Sequence, residues 1–367
     1  MPQRELDQAV KARIEKWIRP DIQSLKAYQV ADASGLIKLD AMENPYTWSD
    51  SLKKQWLEQM QNQSFNRYPD PQGKVVVDGL KEAFGIESHH DVLLGNGSDE
   101  LIQIIIAALA TDDLTVLSPE PSFVMYEMIA KFLRVNYVGV PLGKDFKLDL
   151  TAMLDAIETH QPGVVFLAQP NNPTGNLFGE EKVRRVIEAA PGLVVVDEAY
   201  LAFADSNALK LLSDYSNLVV MRTLSKVGLA GLRLGFLVGH PGWITELNKV
   251  RLPYNINQLT QASAQFALAN YDQLAKQITQ LVTDREQLYK SLQQLDGITV
   301  WPSQANFILF QSDKIPAREL HQSLVEEGIL IKCLDGAHPL LTDCLRVTIG
   351  TPEENSVFLK ALAKLLQ

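Results

Sequence analysis

Short apolar runs alternate with amphipathic segments through the middle of the chain. Seven stretches read as strands: Asp91–Leu94, Thr115–Ser118, Val135–Val140, Val164–Ala168, Leu193–Asp197, Leu218–Arg222 and Gly235–Gly239. Between them, spacing near 3.6 predicts helices over Gly73–Phe84, Asp99–Ala110, Ser122–Phe132, Leu150–His160 and Glu180–Ala190. Strand–helix alternation of this kind builds an α/β fold with a largely parallel sheet. Runs such as VVFLA and LVVV have no polar face, which suits strands covered on both sides. After about Gly242 the rhythm changes. One long helical stretch, Leu259 to Leu295, precedes short strands at Thr299–Trp301, Phe307–Phe310 and Cys344–Ile349 and helices at Ala317–Glu327 and Pro352–Leu366. That predicts a smaller α+β domain. The expected division is residues 1–45 packing with the small domain, 46–250 as the large domain and 251–367 as the small one.

Composition narrows the function classes. The 367 residues are enough for two packed domains, with 46% hydrophobic and 21% charged residues. A formal net charge of −10 argues against a nucleic-acid partner, which needs a basic face, but not against a small anion held by a few arginines. Two cysteines, Cys333 and Cys344, with no CxxC leave no legible metal site or disulfide framework. The charged amphipathic start has no signal-peptide h-region, and apolar runs such as Ile104 to Ala110 are too short to span a bilayer. A soluble cytoplasmic protein with no membrane partner is expected.

Four segments place reactive groups after strands, where open α/β sheets bind ligands. GNGSDE (95–100) leads from a strand into a helix and forms an anion site from free N–H groups. By itself it reads first as a helix capped by Ser98 or Asp99. QPNNPTG (169–175) ends a buried strand with two asparagines; its bland reading is a turn. VVVDEAY (194–200) ends an apolar strand on Asp197, which a cationic partner such as a pyridinium would suit as well as a cap would. TLSKVGLAGLRLGF (223–236) sets Lys226 among glycine and apolar neighbours, where desolvation makes an amine nucleophilic.

In order and placement these segments, with AMENPY (41–46), NRYPDPQG (66–73) and LRVTIGT (345–351), resemble the histidinol-phosphate aminotransferase family over nearly the whole chain. The resemblance implies the fold-type I pyridoxal-phosphate transferase fold, with a mostly parallel seven-stranded sheet in the large domain. It implies pyridoxal 5′-phosphate as cofactor and Lys226 as its Schiff-base lysine and proton shuttle. Asp197 would pair with the ring nitrogen, and Asn172 and Tyr200 would bond the ring oxygen. Ser98, Asp99, Ser225 and Arg233 would hold the phosphate. Phe123 would cover one ring face, with Tyr126 as second candidate, and Tyr68 would reach the phosphate of a neighbouring subunit in a homodimer. Arg346 would bind the anionic end of the substrate, with Tyr28 and Asn44 closing over it. Two departures stand out. Lys332 replaces a usual arginine on the substrate side, giving a point charge instead of a fork. The spacing from Lys226 to Arg233 is also one residue shorter than in many relatives.

The reaction so implied moves an amino group between L-histidinol phosphate and 2-oxoglutarate in histidine biosynthesis. An aromatic aminotransferase or a threonine-phosphate decarboxylase would share every cofactor motif. A non-catalytic pyridoxal-phosphate-binding regulator would need a DNA-binding module, and this acidic chain shows no basic helix-turn-helix.

Overall fold

The computed structural model describes residues 3–27 and 30–367. The chain forms two compact units, one up to Ser34 and one from Gly35 to Gln367. Within the first, a helix over Gln3–Trp17 leaves Leu6, Val10 and Ile14 exposed along one stripe, and a short turn of helix covers Pro20–Gln23. Tyr28 lies outside the described residues.

The second unit begins with β1 (Ile37–Lys38). Seven strands then make the large sheet: β2 (Asp91–Asn96), β3 (Thr115–Glu120), β4 (Asn136–Pro141), β5 (Val164–Ala168), β6 (Leu193–Asp197), β7 (Leu218–Thr223) and β8 (Leu234–Gly239). Their spatial order is β2-β8-β7-β6-β5-β3-β4. Pairings among β3 to β7 are parallel, whereas β8 runs antiparallel to both neighbours. Every residue of β5 to β8 is buried, as a sheet covered on both faces requires. Alternate residues feed two cores. Leu193, Val195, Val219 and Met221 join one, and Val194, Val196, Val220 and Val238 join the other.

The smaller sheet uses β9 (Ile298–Val300), β10 (Phe307–Ser312), β12 (Lys332–Cys333) and β13 (Cys344–Thr348), all paired antiparallel in the order β12-β13-β10-β9. The strand β11 (Ile329–Leu330) pairs separately with β1. A helix over Pro352–Leu365 follows β13, opened by a reciprocal cap between Thr351 and Glu354.

The seven strands of the large sheet match the expected ones to within two residues at either end. The long helical stretch does not: it is two helices, Gln258–Ala269 and Tyr271–Gln293. Asn270 leaves helical geometry between them, and its side chain bonds back to the Phe266 carbonyl. The helix expected from Ser122 starts at Met125, because Ser122 bonds Asn171 instead of opening a helix. Among the helices missed are Asp50–Met60 and Pro241–Asn248. Their N-terminal caps, Ser49 and the His240-Pro241 pair, are legible afterwards. Among the described residues, no helix is long and apolar enough to cross a membrane.

Candidate active site

All the reactive segments converge on one edge of the large sheet. β2, β3, β5, β6 and β7 end there, and their following residues Ser98, Phe123, Asn172, Asp197 with Tyr200, and Lys226 line a single cavity. Because β8 runs the other way, its first residues arrive at the same edge, which puts Arg233 in the wall too. A parallel sheet thus gathers groups that are far apart in sequence, at the ligand-binding end of its strands.

Lys226 sits in a π-helical turn, Ser225–Leu229, directly after β7. Its ammonium is loosely held: Nζ lies 3.4 Å from the Ala41 carbonyl and 5.6 Å from the centre of the Tyr200 ring. Burial, reinforced by the nearby Arg346 charge, brings its pKa down to about 8. That is a lysine prepared to act as an amine. Lowered basicity means the neutral amine is present above about pH 8 and lost as pH falls through it. Uptake of pyridoxal phosphate by the cofactor-free protein should therefore accelerate as pH rises through that point. Stopped-flow absorbance checks this, and a rate independent of pH there excludes Lys226 as the nucleophile.

Asp197 closes β6 and is 4% exposed. Its Oδ1 accepts from the Ala199 N–H at 3.0 Å, and its Oδ2 accepts from the Tyr126 hydroxyl at 2.6 Å. Burial outweighs these bonds and lifts the carboxyl to about 6. The next residue, Glu198, faces away and is neutralised by Arg222 at 2.7 Å, with the Ala208 N–H at 2.6 Å. Two adjacent carboxylates thus have opposite surroundings: one has a cationic partner and the other faces the pocket with neutral donors only.

The anion end is built around Gly97, the residue before the Ser98–Leu109 helix. No side chain caps this helix, so neither Ser98 nor Asp99 has the capping role considered above. Glu100 is turned away, accepting from the Asn96 N–H and from Asn255. The first N–H groups of the helix are left for an anion. Gly97 has φ +85°, and a Cβ there would lie 2.6 Å from Arg233 Nη2. A Cβ on Gly235 would meet Gly97 C at 2.8 Å and Ser98 N at 2.9 Å. Gly235 needs to be glycine for this close backbone approach, and Gly97 for its left-handed backbone. Arg233 reaches the place despite the shortened spacing, its Nη2 lying 3.6 Å from Asp99 Oδ2. Ser225 is tied to Thr223 by a hydroxyl bond of 2.9 Å.

Asn172 donates to the Tyr200 hydroxyl at 3.3 Å and accepts from Arg346 Nη1. Arg346 stands behind Asn172, outside the cavity wall; its Nη2 donates to the Asp40 carbonyl at 3.0 Å, and it lies over the Phe307 ring. Lys332 is its cross-strand partner on β12. Three other expected residues lie elsewhere. Asn44 is outside the wall, bonding Val227 and Gln277, while its neighbours Ala41, Met42 and Glu43 line the cavity. Tyr68 is 80% exposed and stacks on Tyr254 at 4.4 Å. Tyr126 is wholly buried and holds Asp197; Phe123 takes the wall position. Sequence reasoning passed over Glu43 and Thr223, although both adjoin motifs it singled out.

The cavity suits an aromatic, anionic aldehyde: an uncapped helix start with an arginine for its phosphate, an amine of lowered basicity, and a buried carboxylate awaiting a cation. With the fold, these features define a pyridoxal-phosphate-dependent transferase of fold type I. The aminotransferase class I and II family matches residues 34–362. The chain belongs to that family and, within it, to the histidinol-phosphate aminotransferases. It is 56% identical over 352 residues to histidinol-phosphate aminotransferase 2 of Nitrosococcus oceani, covering 96% of this chain and 98% of that one. It is 48% identical to the histidinol-phosphate aminotransferase of Chromobacterium violaceum, covering 97% and 99%. The histidinol-phosphate aminotransferase of Sinorhizobium meliloti, solved in complex with pyridoxal-5′-phosphate, superposes with a TM-score of 0.85 at 25% identity, over 95% of this chain and 97% of that one.

Proposed function

We propose that the chain transfers an amino group between L-histidinol phosphate and 2-oxoglutarate, giving imidazole acetol phosphate and L-glutamate. One observation carries the reading: Lys226 and Asp197 share a single pocket at the strand ends, the first with lowered basicity and the second buried. Near-full-length identity to named histidinol-phosphate aminotransferases supports the choice of donor. Bound pyridoxal phosphate supplies the electron sink that makes the substrate α-proton acidic.

The protein's own groups do the rest. Lys226 anchors the cofactor through its amine and then takes and returns the α-proton. Asp197 keeps a proton on the ring nitrogen. Asn172 and Tyr200 hold the ring oxygen, and Phe123 covers a ring face. The Ser98–Asp99 backbone, Ser225 and Arg233 hold the phosphate. Arg346 offers a fork to the carboxylate or phosphate of each substrate in turn, with its cross-strand partner Lys332 adding a point charge and Asn44 closing over the substrate.

The working form is a cytoplasmic homodimer. Leu57, Phe65, Tyr68 and Leu252 are more than half exposed, and Tyr68 stacks on Tyr254 at the surface, apolar area that a second copy would cover. Tyr68 faces no part of its own pocket and is free to serve a second copy's.

A donor panel tests the assignment. Single-turnover spectra should show fast loss of the bound cofactor's visible absorption with histidinol phosphate, and slow change with phenylalanine or threonine phosphate. Fast conversion by phenylalanine without response to histidinol phosphate overturns the proposed donor.

A further inference from the structure

We propose that Tyr126 is a positioning residue for the reaction: its hydroxyl fixes the orientation and the ionised state of the Asp197 carboxylate. The inference rests on the reading of Asp197 as partner of the cofactor ring nitrogen.

Tyr126 lies in the Met125–Leu133 helix, beneath the pocket and away from its wall. It is fully buried, and its ring is fixed from two sides. Phe166 of β5 stacks on it at 4.6 Å with an interplanar angle of 13°. Phe123 meets it edge-on at 5.7 Å. The hydroxyl is left one direction, and there it donates to Asp197 Oδ2 at 2.6 Å. The Ala199 N–H holds the other oxygen, so the carboxylate plane cannot turn without breaking one of the two bonds.

The charge environment gives the hydroxyl a second task. Asp99, from the helix start, and Glu198, from the strand end, both act on Asp197 through space and both disfavour its ionisation. Glu43, Lys226 and Arg233 complete the charged wall. Burial also disfavours ionisation, and only the Tyr126 and Ala199 bonds oppose it locally. Tyr126 can always donate, because burial and the neighbouring Asp197 charge hold its own proton far beyond the working range. Without this donor, Asp197 loses its stronger support and its protonation moves into the neutral range. A protonated Asp197 cannot keep the ring nitrogen charged.

A core tyrosine merely satisfied by a nearby oxygen would look similar, so the test must separate the two roles. Tyr126→Phe keeps both ring contacts and removes only the hydroxyl. The expected result is a kcat lowered roughly tenfold at neutral pH with the donor KM little changed. The acid limb of the kcat profile should move up by about one pH unit, as should the pH dependence of pyridoxal-phosphate affinity measured on cofactor-free protein. Replacing Tyr126 with a fluorinated tyrosine, a stronger donor, should move both the other way. Adding Tyr126→Phe to Asp197→Asn should cost nothing further, since the first acts through the second. Unchanged pH profiles, or losses that add in the double variant, overturn the proposal. If the unaltered protein fails to bind pyridoxal phosphate, the reading of the pocket falls; if it binds and only Tyr126→Phe is silent, this inference alone falls.

Discussion

Lys226→Ala should lower turnover by about 10⁴-fold or more, the upper range for a positioned acid–base group, because the anchoring amine goes with it. Fold stability should not follow activity down. The ammonium makes one long bond, 3.4 Å to the Ala41 carbonyl, and its depressed basicity shows that the pocket disfavours the charged form. Removing it relieves a desolvated cation, so the cofactor-free variant should melt at or above the temperature of the parent. Steady-state rates with histidinol phosphate and calorimetry of both cofactor-free proteins check this. Normal turnover removes the mechanism, and a collapsed melting temperature shows that Lys226 is structural. Reduction with borohydride followed by peptide mapping should place the cofactor on residue 226 in the parent alone.

Asp197→Asn should separate activity from stability in the same way, with opposite signs. Activity should fall by about 10²- to 10³-fold, as ring-nitrogen protonation is no longer enforced. Stability of the cofactor-free protein should rise. The folded carboxyl titrates near 6 against an ordinary 3.8, so the folded state binds the proton more tightly than the unfolded one. Its contribution is fully present below the lower value and is lost as pH rises through 6. Above that the buried charge costs stability, and an uncharged amide avoids the cost. The amide keeps one bond and reverses the other: its oxygen accepts from the Ala199 N–H, and its nitrogen donates to the Tyr126 oxygen, which in the parent is the donor. A gain of about 1–2 kcal/mol at pH 8, vanishing near pH 4, is expected in denaturant titrations. Near-normal rates would show that the ring nitrogen is held by another group, and a stability loss at pH 8 would show that the carboxylate is not strained.

Much of this was legible beforehand because strands buried on both faces are apolar throughout. VVFLA and LVVV mark their own ends with the first polar residue, and in a parallel sheet that residue belongs at the ligand edge. Asp197 is such a residue, whereas Asn172 and Lys226 lie a few residues beyond their strands and were singled out by their motifs and the family resemblance. Tyr126 stood as second candidate behind Phe123 because a tyrosine three residues on reads equally as wall or as core. Only the packing of Phe166 decides it. Tyr68 is silent in one chain, since an exposed ring declares nothing about a second copy. The break at Asn270 was hidden because the apolar spacing continues through it and one asparagine is a weak signal in a long amphipathic run.

The pocket wall has two origins. Most of its groups hang from the ends of the buried sheet, whereas Ala41 to Glu43 come from an irregular segment after β1. Changes in that segment leave the strands of the large sheet untouched. A descendant of this chain could therefore trade one amino donor for another by rewriting a few peripheral positions, inheriting its coenzyme chemistry whole.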